Sequence, residues 1–298
     1  MADKDKPTSE ECDGICEGCP SANTCDSAQN TTAGKPTGLP PKAEIDVDHV
    51  ILVLSGKGGV GKSTVSVNLA FALASHGFKV GLLDLDIHGP NVPKMLGIEE
   101  QKLMTMGTKI EPVHITGNLS VVSMAFLLPE KSTPVIWRGP MKMGAIGQFL
   151  SDVNWEKLNY MVVDLPPGTG DEALSIVQLA PNVRGAVIVT TPQDVATMDA
   201  MKAAKFVEKL DIPVIGIVEN MSGLICPHCK EEIDLFGKGG GEKIAKELGV
   251  PFLGSIPLDP EMRKAGDEGR PFIIRNKDNP TWKRVDTVME ELVKVVED

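Results

Sequence analysis

The sequence predicts an α/β fold in which a mostly parallel sheet is flanked by helices. Short apolar runs recur along the chain, at 50–54, 80–85, 119–124, 160–164, 186–190, 214–218 and 252–256. They are nearly continuous and rich in β-branched residues, as in strands that are buried on both faces. Helical periodicity lies between or after them, at 62–75, 197–210, 240–248 and 281–296. Strands that alternate with helices in this way favour parallel pairing.

Composition excludes several classes of function. Hydrophobic residues make up 42% of the 298 residues and charged residues 24%, as is usual for a globular protein. The net charge of −11 lacks the basic footprint of a nucleic-acid-binding protein, so no nucleic acid partner is expected. No apolar run approaches the roughly 18 residues of a membrane helix, and the N-terminus has no apolar signal stretch. We therefore expect a cytoplasmic protein without a membrane partner.

The chain divides into a tail at 1–47 and an α/β domain at 48–298. Residues 1–44 contain no aromatic residue and five prolines, so they bury too little apolar area to fold alone. The tail is expected to be disordered, or ordered by whatever its cysteines bind. Tight clusters of cysteine in a large chain indicate metal or redox sites rather than disulfide staples. The tail cysteines are Cys12, Cys16, Cys19 and Cys25.

A phosphate-binding loop follows the first predicted strand and opens the first helix. The run 56–63 fits the pattern G-x-x-x-x-G-K-[ST]. Its glycines allow successive backbone N–H groups to surround a polyphosphate, and Lys62 adds a cation for the outer phosphates. The hydroxyl of Ser63 can coordinate Mg²⁺. The residues expected to bind the nucleotide are Gly56, Lys57, Gly58, Gly59, Val60, Gly61, Lys62, Ser63 and Thr64.

The sequence GKGGVGKST, with Lys57 after the first glycine, resembles the deviant Walker A motif of the dimeric SIMIBI class of P-loop ATPases. This resemblance implies that Lys57 reaches across a dimer to the phosphates of the partner. There it would stabilise charge on the transferring phosphoryl group, as an arginine finger does. Hydrolysis would then depend on closure of the dimer.

Two acidic motifs follow predicted strands, and carboxylates at such strand ends can hold Mg²⁺ or orient the attacking water. The first is Asp84-Leu85-Asp86, and the resemblance places Asp86 nearest to the water. The second begins at Asp164, expected in the metal shell, and Gly168 could meet the γ-phosphate through its N–H. Each aspartate alone could equally be a helix cap or turn residue. After a further strand, Asn220 offers an amide for a base edge, and the class implies adenine.

Cys226-Pro227-His228-Cys229 allows three interpretations. It could be a thiol–disulfide centre, although the following residues look like a hairpin and not like the helix such a centre precedes. It could be half of a four-cysteine zinc site. It could also meet its copy at the twofold axis of a homodimer, which would supply four thiolates for one [4Fe–4S] cluster. Together with the dimer that Lys57 implies, the third interpretation is favoured.

The motifs together resemble the Mrp-like iron–sulfur cluster carrier ATPases of the cytosolic nucleotide-binding-protein type. They are GKGGVGKST, DLDIHGPNVPKMLG, WRGPM, DLPPGTGDE, ENMSGLICPHC and DLFGKGGG. The resemblance implies a homodimeric ATPase that assembles a labile [4Fe–4S] cluster at Cys226 and Cys229 and transfers it to apo-proteins. Its cofactors would be ATP and Mg²⁺.

The same subfamily carries an N-terminal four-cysteine motif, and Cys16, Cys19 and Cys25 match its last three members. The family motif has a much longer gap between its first two cysteines than the gap between Cys12 and Cys16. The tail could therefore hold an iron–sulfur cluster, hold zinc or bind no metal. Two other classes remain as alternatives for the whole chain. One is an electron-transfer ATPase of the nitrogenase iron protein type, and the other is a spatial regulator with a structural zinc knuckle.

Overall fold

The computed structural model describes residues 41–87, 89–127, 139–226, 228–229, 231–272 and 278–298. Pro41–Asp298 forms one compact unit. The four tail cysteines, His88 and the first two residues of WRGPM lie outside the described residues, so the predictions for them stay predictions. No helix in the described ranges is both long enough and apolar enough to cross a membrane.

The elements alternate between strand and helix over most of the chain. The strands are β1 (Val47–Leu54), β2 (Val80–Asp84), β3 (Met104–Met106), β4 (Lys109–Glu111), β5 (Val113–Thr116), β6 (Leu119–Ser123), β7 (Leu158–Asp164), β8 (Val183–Thr190), β9 (Val214–Ile225), β10 (Glu232–Ile233) and β11 (Phe252–Leu258). The helices are α1 (Lys62–Ser75), α2 (Val92–Leu96), α3 (Gly139–Ser151), α4 (Asp171–Leu179), α5 (Asp194–Lys209), α6 (Gly240–Leu248), α7 (Pro260–Asp267) and α8 (Pro280–Glu297).

Within the described residues, one sheet of nine strands has the order β10-β9-β8-β1-β7-β2-β6-β5, and β11 also pairs with β9. Its central pairs are parallel, whereas β5 and β10 are antiparallel to their neighbours. The predicted mostly parallel sheet flanked by helices is confirmed. Because the carboxyl ends of parallel strands share one edge, the segments after β1, β2, β7 and β9 meet there.

Two apolar cores cover the two faces of the sheet. One core packs α1 and α8 against the sheet through residues such as Leu69 and Leu292. The other packs α3, α4, α5 and α6 on the opposite face, around Phe149 and Ile176. Because the central strands are buried on both faces, their sequences are continuous apolar runs. The sheet edge that carries the polar loops is held between these cores.

Strand β9, which carries Asn220, is longer than the sequence predicts. The apolar run at 214–218 predicts a short strand, but β9 continues to Ile225. The pattern breaks at Glu219 and Asn220, which are polar yet buried, so periodicity could not follow the strand beyond them. The short β10 pairs back on the end of β9, which confirms the hairpin expected after the cysteines.

Candidate functional site

A large cavity lies at the carboxyl edge of the sheet, above the loop that connects β1 to α1. Its volume is about 690 Å³. One wall consists of residues 57–64 of the phosphate-binding loop, with Asp86 and Asn220 beside it. The opposite wall comes from α2 and from the end of β11 with α7. Its residues are Lys94, Met95, Pro257, Leu258, Asp259, Met262, Arg263, Gly266 and Asp267.

Backbone geometry at the loop demands glycine where α1 begins. Gly61 is the N-terminal cap of α1 and has a left-handed φ of 80°. A Cβ atom there would lie 2.1 Å from the Asn220 amide nitrogen, so a side chain would meet both strain and a clash. The unpaired N–H groups at the start of α1 therefore open into the cavity, which is the arrangement that binds phosphate.

A buried ion pair joins the loop to the end of β7. Lys62 Nζ lies 2.7 Å from Asp164 Oδ1, and both side chains are buried. Ser66, one helical turn after Lys62, donates its hydroxyl to the same oxygen at 2.7 Å. The other oxygen, Oδ2, is buried and has no hydrogen-bond partner among the described residues. A buried carboxylate oxygen of this kind has room to accept a further donor or a cation.

A second carboxylate stands beside Asp164. Asp84 ends the neighbouring strand β2, opposite Asp164 in the register, and is fully buried. Ser123 donates to Asp84 Oδ2 at 2.8 Å. Burial raises the pKa of Asp84 from 3.8 to about 8, and the negative charge of Asp164 adds to the rise. Asp84 is therefore largely protonated at neutral pH in this structure.

The raised pKa of Asp84 predicts that the nucleotide- and metal-free protein loses stability as pH rises. The neutral acid contributes stability below 3.8, and this contribution is lost as pH passes through about 8. In Asp84→Asn the side chain stays neutral and keeps its shape. We expect the free energy of unfolding, measured with urea across this interval, to fall more steeply with pH in the wild type. Parallel pH profiles for the two proteins would contradict the assignment.

Two other predicted site residues, Asp86 and Lys57, line the same cavity. Asp86 is buried at its rim, where its Oδ1 accepts the Gly89 N–H at 3.1 Å. Lys57 is half-buried and lines the cavity. The Gly168 N–H donates to the Ser55 carbonyl at 2.9 Å, so it would have to exchange that partner to meet a phosphate. The structure thus brings the loop, Asp86 and Asp164 together.

Asn220, which is predicted to read a base edge, is held against the phosphate-binding loop in this structure. It is buried at the side of the loop, and its amide nitrogen donates to the Val60 carbonyl at 2.9 Å. In this structure the side chain therefore ties β9 to the phosphate-binding loop. The wall formed by α2, the end of β11 and α7 offers apolar surface from Met95, Pro257 and Met262.

The two cysteines of the domain lie at the tip of the β9–β10 hairpin. The Cys226 N–H donates to the Glu231 carbonyl at 2.8 Å and closes the turn. The Cys229 thiol is exposed and donates to Glu231 Oε2 at 3.9 Å. Within the described residues, no group of three or more histidine, cysteine or acidic side chains is arranged to hold a metal ion.

Some residues of the site escape prediction from sequence. Ser66 lies four residues after Lys62, on the same face of the predicted helix, and this spacing could have identified it as a neighbour of Lys62. Asp84 stands in the quoted motif, but only the pairing of β2 with β7 shows it beside Asp164. Ser123 reaches Asp84 because β6 pairs with β2, and the residues of α7 reach the cavity through the fold. No local signal marks either.

A phosphate-binding loop between a buried strand and a helix, with acidic strand ends beside it, defines a P-loop nucleoside triphosphatase. The family of NUBPL iron-transfer P-loop NTPases matches residues 46–293, and the chain belongs to that family. An iron–sulfur cluster carrier protein of Methanocaldococcus jannaschii is 50% identical over 288 residues, which cover 96% of this chain and 98% of the relative. A protein of the same name from Saccharolobus solfataricus is 49% identical over 252 residues, 85% of each chain.

Solved structures agree with this fold. A nucleotide-binding protein from Archaeoglobus fulgidus, in complex with ADP and with cobalt, is 38% identical. It matches with a TM-score of 0.68 over 80% of this chain and 91% of its own. The cell division ATPase MinD from Pyrococcus furiosus is 23% identical, with a TM-score of 0.60 over 83% and 99% of the two chains. The second likeness shows the fold alone.

Proposed function

We propose that the protein is a homodimeric, ATP-binding carrier that assembles a labile [4Fe–4S] cluster and passes it to apo-proteins. The observation that carries this proposal is the position of the C-x-x-C pair. Both thiols lie at the tip of a hairpin whose first strand, β9, also borders the nucleotide cavity at Asn220. The match to relatives named iron–sulfur cluster carrier proteins, over 85% or more of each chain, supports the same function.

The number of ligands supports a dimer. A [4Fe–4S] cluster takes four thiolates, whereas this hairpin supplies two. A second copy related by a twofold axis supplies the other two. Exposed apolar side chains lie in β10 and directly after it, as expected for a surface that a second copy covers. They are Ile233, Leu235 and Phe236.

The residues present also fit Mg²⁺ as a cofactor. The carboxylate of Asp164 has a buried oxygen without a partner among the described residues, and the hydroxyl of Ser63 stands at the start of the same helix that carries Lys62. Hard oxygen donors of this kind suit Mg²⁺. Asp164 and Ser63 would hold the ion, which would neutralise charge on the bound phosphates.

The same site supports ATP hydrolysis as the driving reaction. Lys62 would leave Asp164 to meet the outer phosphates, and the α1 N–H groups would hold the phosphate chain. Asp86 stands at the rim of the cavity, where it would orient the attacking water. Lys57 would act on the phosphates of the second copy. In this proposal, hydrolysis requires a closed dimer.

Reconstitution with iron and sulfide tests the proposal. We expect wild-type protein, treated anaerobically, to gain a cluster at the hairpin, and Cys226→Ala/Cys229→Ala to bind about four fewer irons per dimer. The matched control replaces Cys12, Cys16, Cys19 and Cys25 instead, so that iron held by the tail is counted separately. Iron, sulfide and visible absorbance are measured together with the mass of the assembly.

The iron content of these variants distinguishes a cluster carrier from a protein with a structural zinc site. Equal iron loading in wild type and the hairpin variant would show that the ligands lie elsewhere and would refute the carrier site. Zinc in place of iron, held by Cys226 and Cys229, would leave a nucleotide-binding protein with a structural metal knuckle.

A further inference from the structure

A single buried carboxylate contacts both ends of the segment that bears the two cysteines. Glu219 lies in β9, immediately before Asn220, and is only 1% exposed. Its Oε2 accepts the Gly241 N–H at 2.6 Å, and its Oε1 accepts the Gly239 N–H at 3.1 Å. These two N–H groups belong to the start of α6, to which the chain returns after the hairpin. Glu219 therefore joins the two ends of the segment that presents Cys226 and Cys229.

The strand is irregular directly above this carboxylate. Asn220 and Leu224 of β9 pair with Ile256 and Leu258 of β11, so four residues of one strand match two of the other. The excess is accommodated at Met221, whose φ is 57°, and at Gly223, whose φ is 75°. A left-handed methionine is a strained conformation that its surroundings must hold in place.

Glu219 also holds this irregular segment. Its Oε1 accepts the Ser222 hydroxyl at 2.6 Å, so the carboxylate bridges the strand, the bulge and the start of α6. The phosphate-binding loop also contacts this part of β9, at Asn220 and Met221. Asn220 donates to Val60, and a Cβ on Gly61 would lie 3.5 Å from Met221 Cε. A shift of the loop therefore acts on the bulge, and the carboxylate passes that shift to both ends of the hairpin segment.

We infer that Glu219 is a positioning residue that couples occupancy of the nucleotide cavity to the placement of Cys226 and Cys229. The inference rests on the proposed carrier function and names the side chain through which nucleotide state reaches the cluster. Without the carboxylate, the hairpin would still carry two thiols and the loop would still bind phosphate. Only the dependence of one site on the other would be lost, because coupling needs an element that both sites bias.

The test uses full-length protein loaded with iron and sulfide, and a ferrous chelator as the acceptor probe. The rate of iron capture is measured with Mg-ADP and with a non-hydrolysable Mg-ATP analogue, and the ratio of the two rates is the readout. Coupling between sites is typically about 5–150-fold, and we expect a wild-type ratio in that range. In Glu219→Gln the ratio is expected to fall to within about twofold of unity, which is below the usual range of coupling.

Two further variants separate coupling from simple loosening of the hairpin. Asp234 also accepts a backbone N–H of this segment, from Gly237 at 2.7 Å, but among the described residues its side chain forms no hydrogen bond to β9. Asp234→Asn is thus the same chemical change on the same segment, and it should keep the wild-type ratio. Ser222→Ala removes one of the three hydrogen bonds that described residues donate to the Glu219 carboxylate, and it should give an intermediate ratio.

Reciprocity supplies a second readout. The affinity for the ATP analogue should differ between cluster-loaded and cluster-free wild type, and should be equal in both forms of Glu219→Gln. A wild-type ratio retained in Glu219→Gln would overturn the inference. If that variant holds no cluster, Ser222→Ala decides, and an unchanged ratio there would overturn it too. A wild type that binds no cluster at the hairpin would instead refute the proposed function.

Discussion

Replacement of Lys62 by alanine is expected to abolish ATP hydrolysis and to destabilise the protein. The lysine cation is the group that would meet the transferring phosphate, and loss of such an electrostatic contact costs about 10²–10³-fold in rate. The same change leaves Asp164 buried without its ion-pair partner, 2.7 Å away in the wild type. Removal of one partner of a buried pair costs about 3–5 kcal/mol. Phosphate release and urea unfolding measure the two effects separately.

Two variants distinguish these effects. In Lys62→Ala/Asp164→Asn no buried charge is left unpaired, so much of the stability should return while hydrolysis stays absent. Lys57→Ala leaves the Lys62–Asp164 pair intact and should slow hydrolysis with little change in stability. ATPase activity of Lys62→Ala equal to that of wild type would show that the loop has been assigned wrongly.

The addition of a methyl group to Gly56 is expected to destabilise the protein and to distort the phosphate-binding loop. Its Cβ would lie 2.1 Å from the carbonyl oxygen of Asp199 in α5, and that atom belongs to the backbone of a helix. Neither partner can rotate away, so the loop or the helix must move. Overpacking of this kind costs about 1–3 kcal/mol, occasionally more. We expect Gly56→Ala to lower the free energy of unfolding by at least this amount and to weaken nucleotide binding.

Gly58 provides the matched comparison within the same loop. Its nearest neighbour for an added Cβ is Pro167 Cγ, at the ordinary contact distance of 3.9 Å. Gly58→Ala should therefore change stability by no more than about 0.5 kcal/mol. Urea unfolding of both variants without nucleotide isolates the steric effect. Equal losses would mean that glycine is required there for reasons other than contact with α5.

The phosphate-binding loop and the central strands could be predicted because their signals are local. The loop residues are contiguous, and strands buried on both faces are continuous apolar runs. The contacts between the acidic residues depend instead on register: Asp84 meets Asp164 and Ser123 only because β2 lies between β7 and β6. Glu219 and Asn220 obscured the length of β9 for a related reason. They are buried polar residues held by partners distant in sequence, which no periodicity records.

The order of strands in the sheet also sets when the nucleotide site can form during synthesis. β1 lies between β7 and β8, so both neighbours of the loop-bearing strand are translated more than one hundred residues after it. The ribosome adds about 5–20 residues per second, so the first strand waits for several seconds without partners. ATP cannot assist folding until Asp164 and the strand that carries it have emerged.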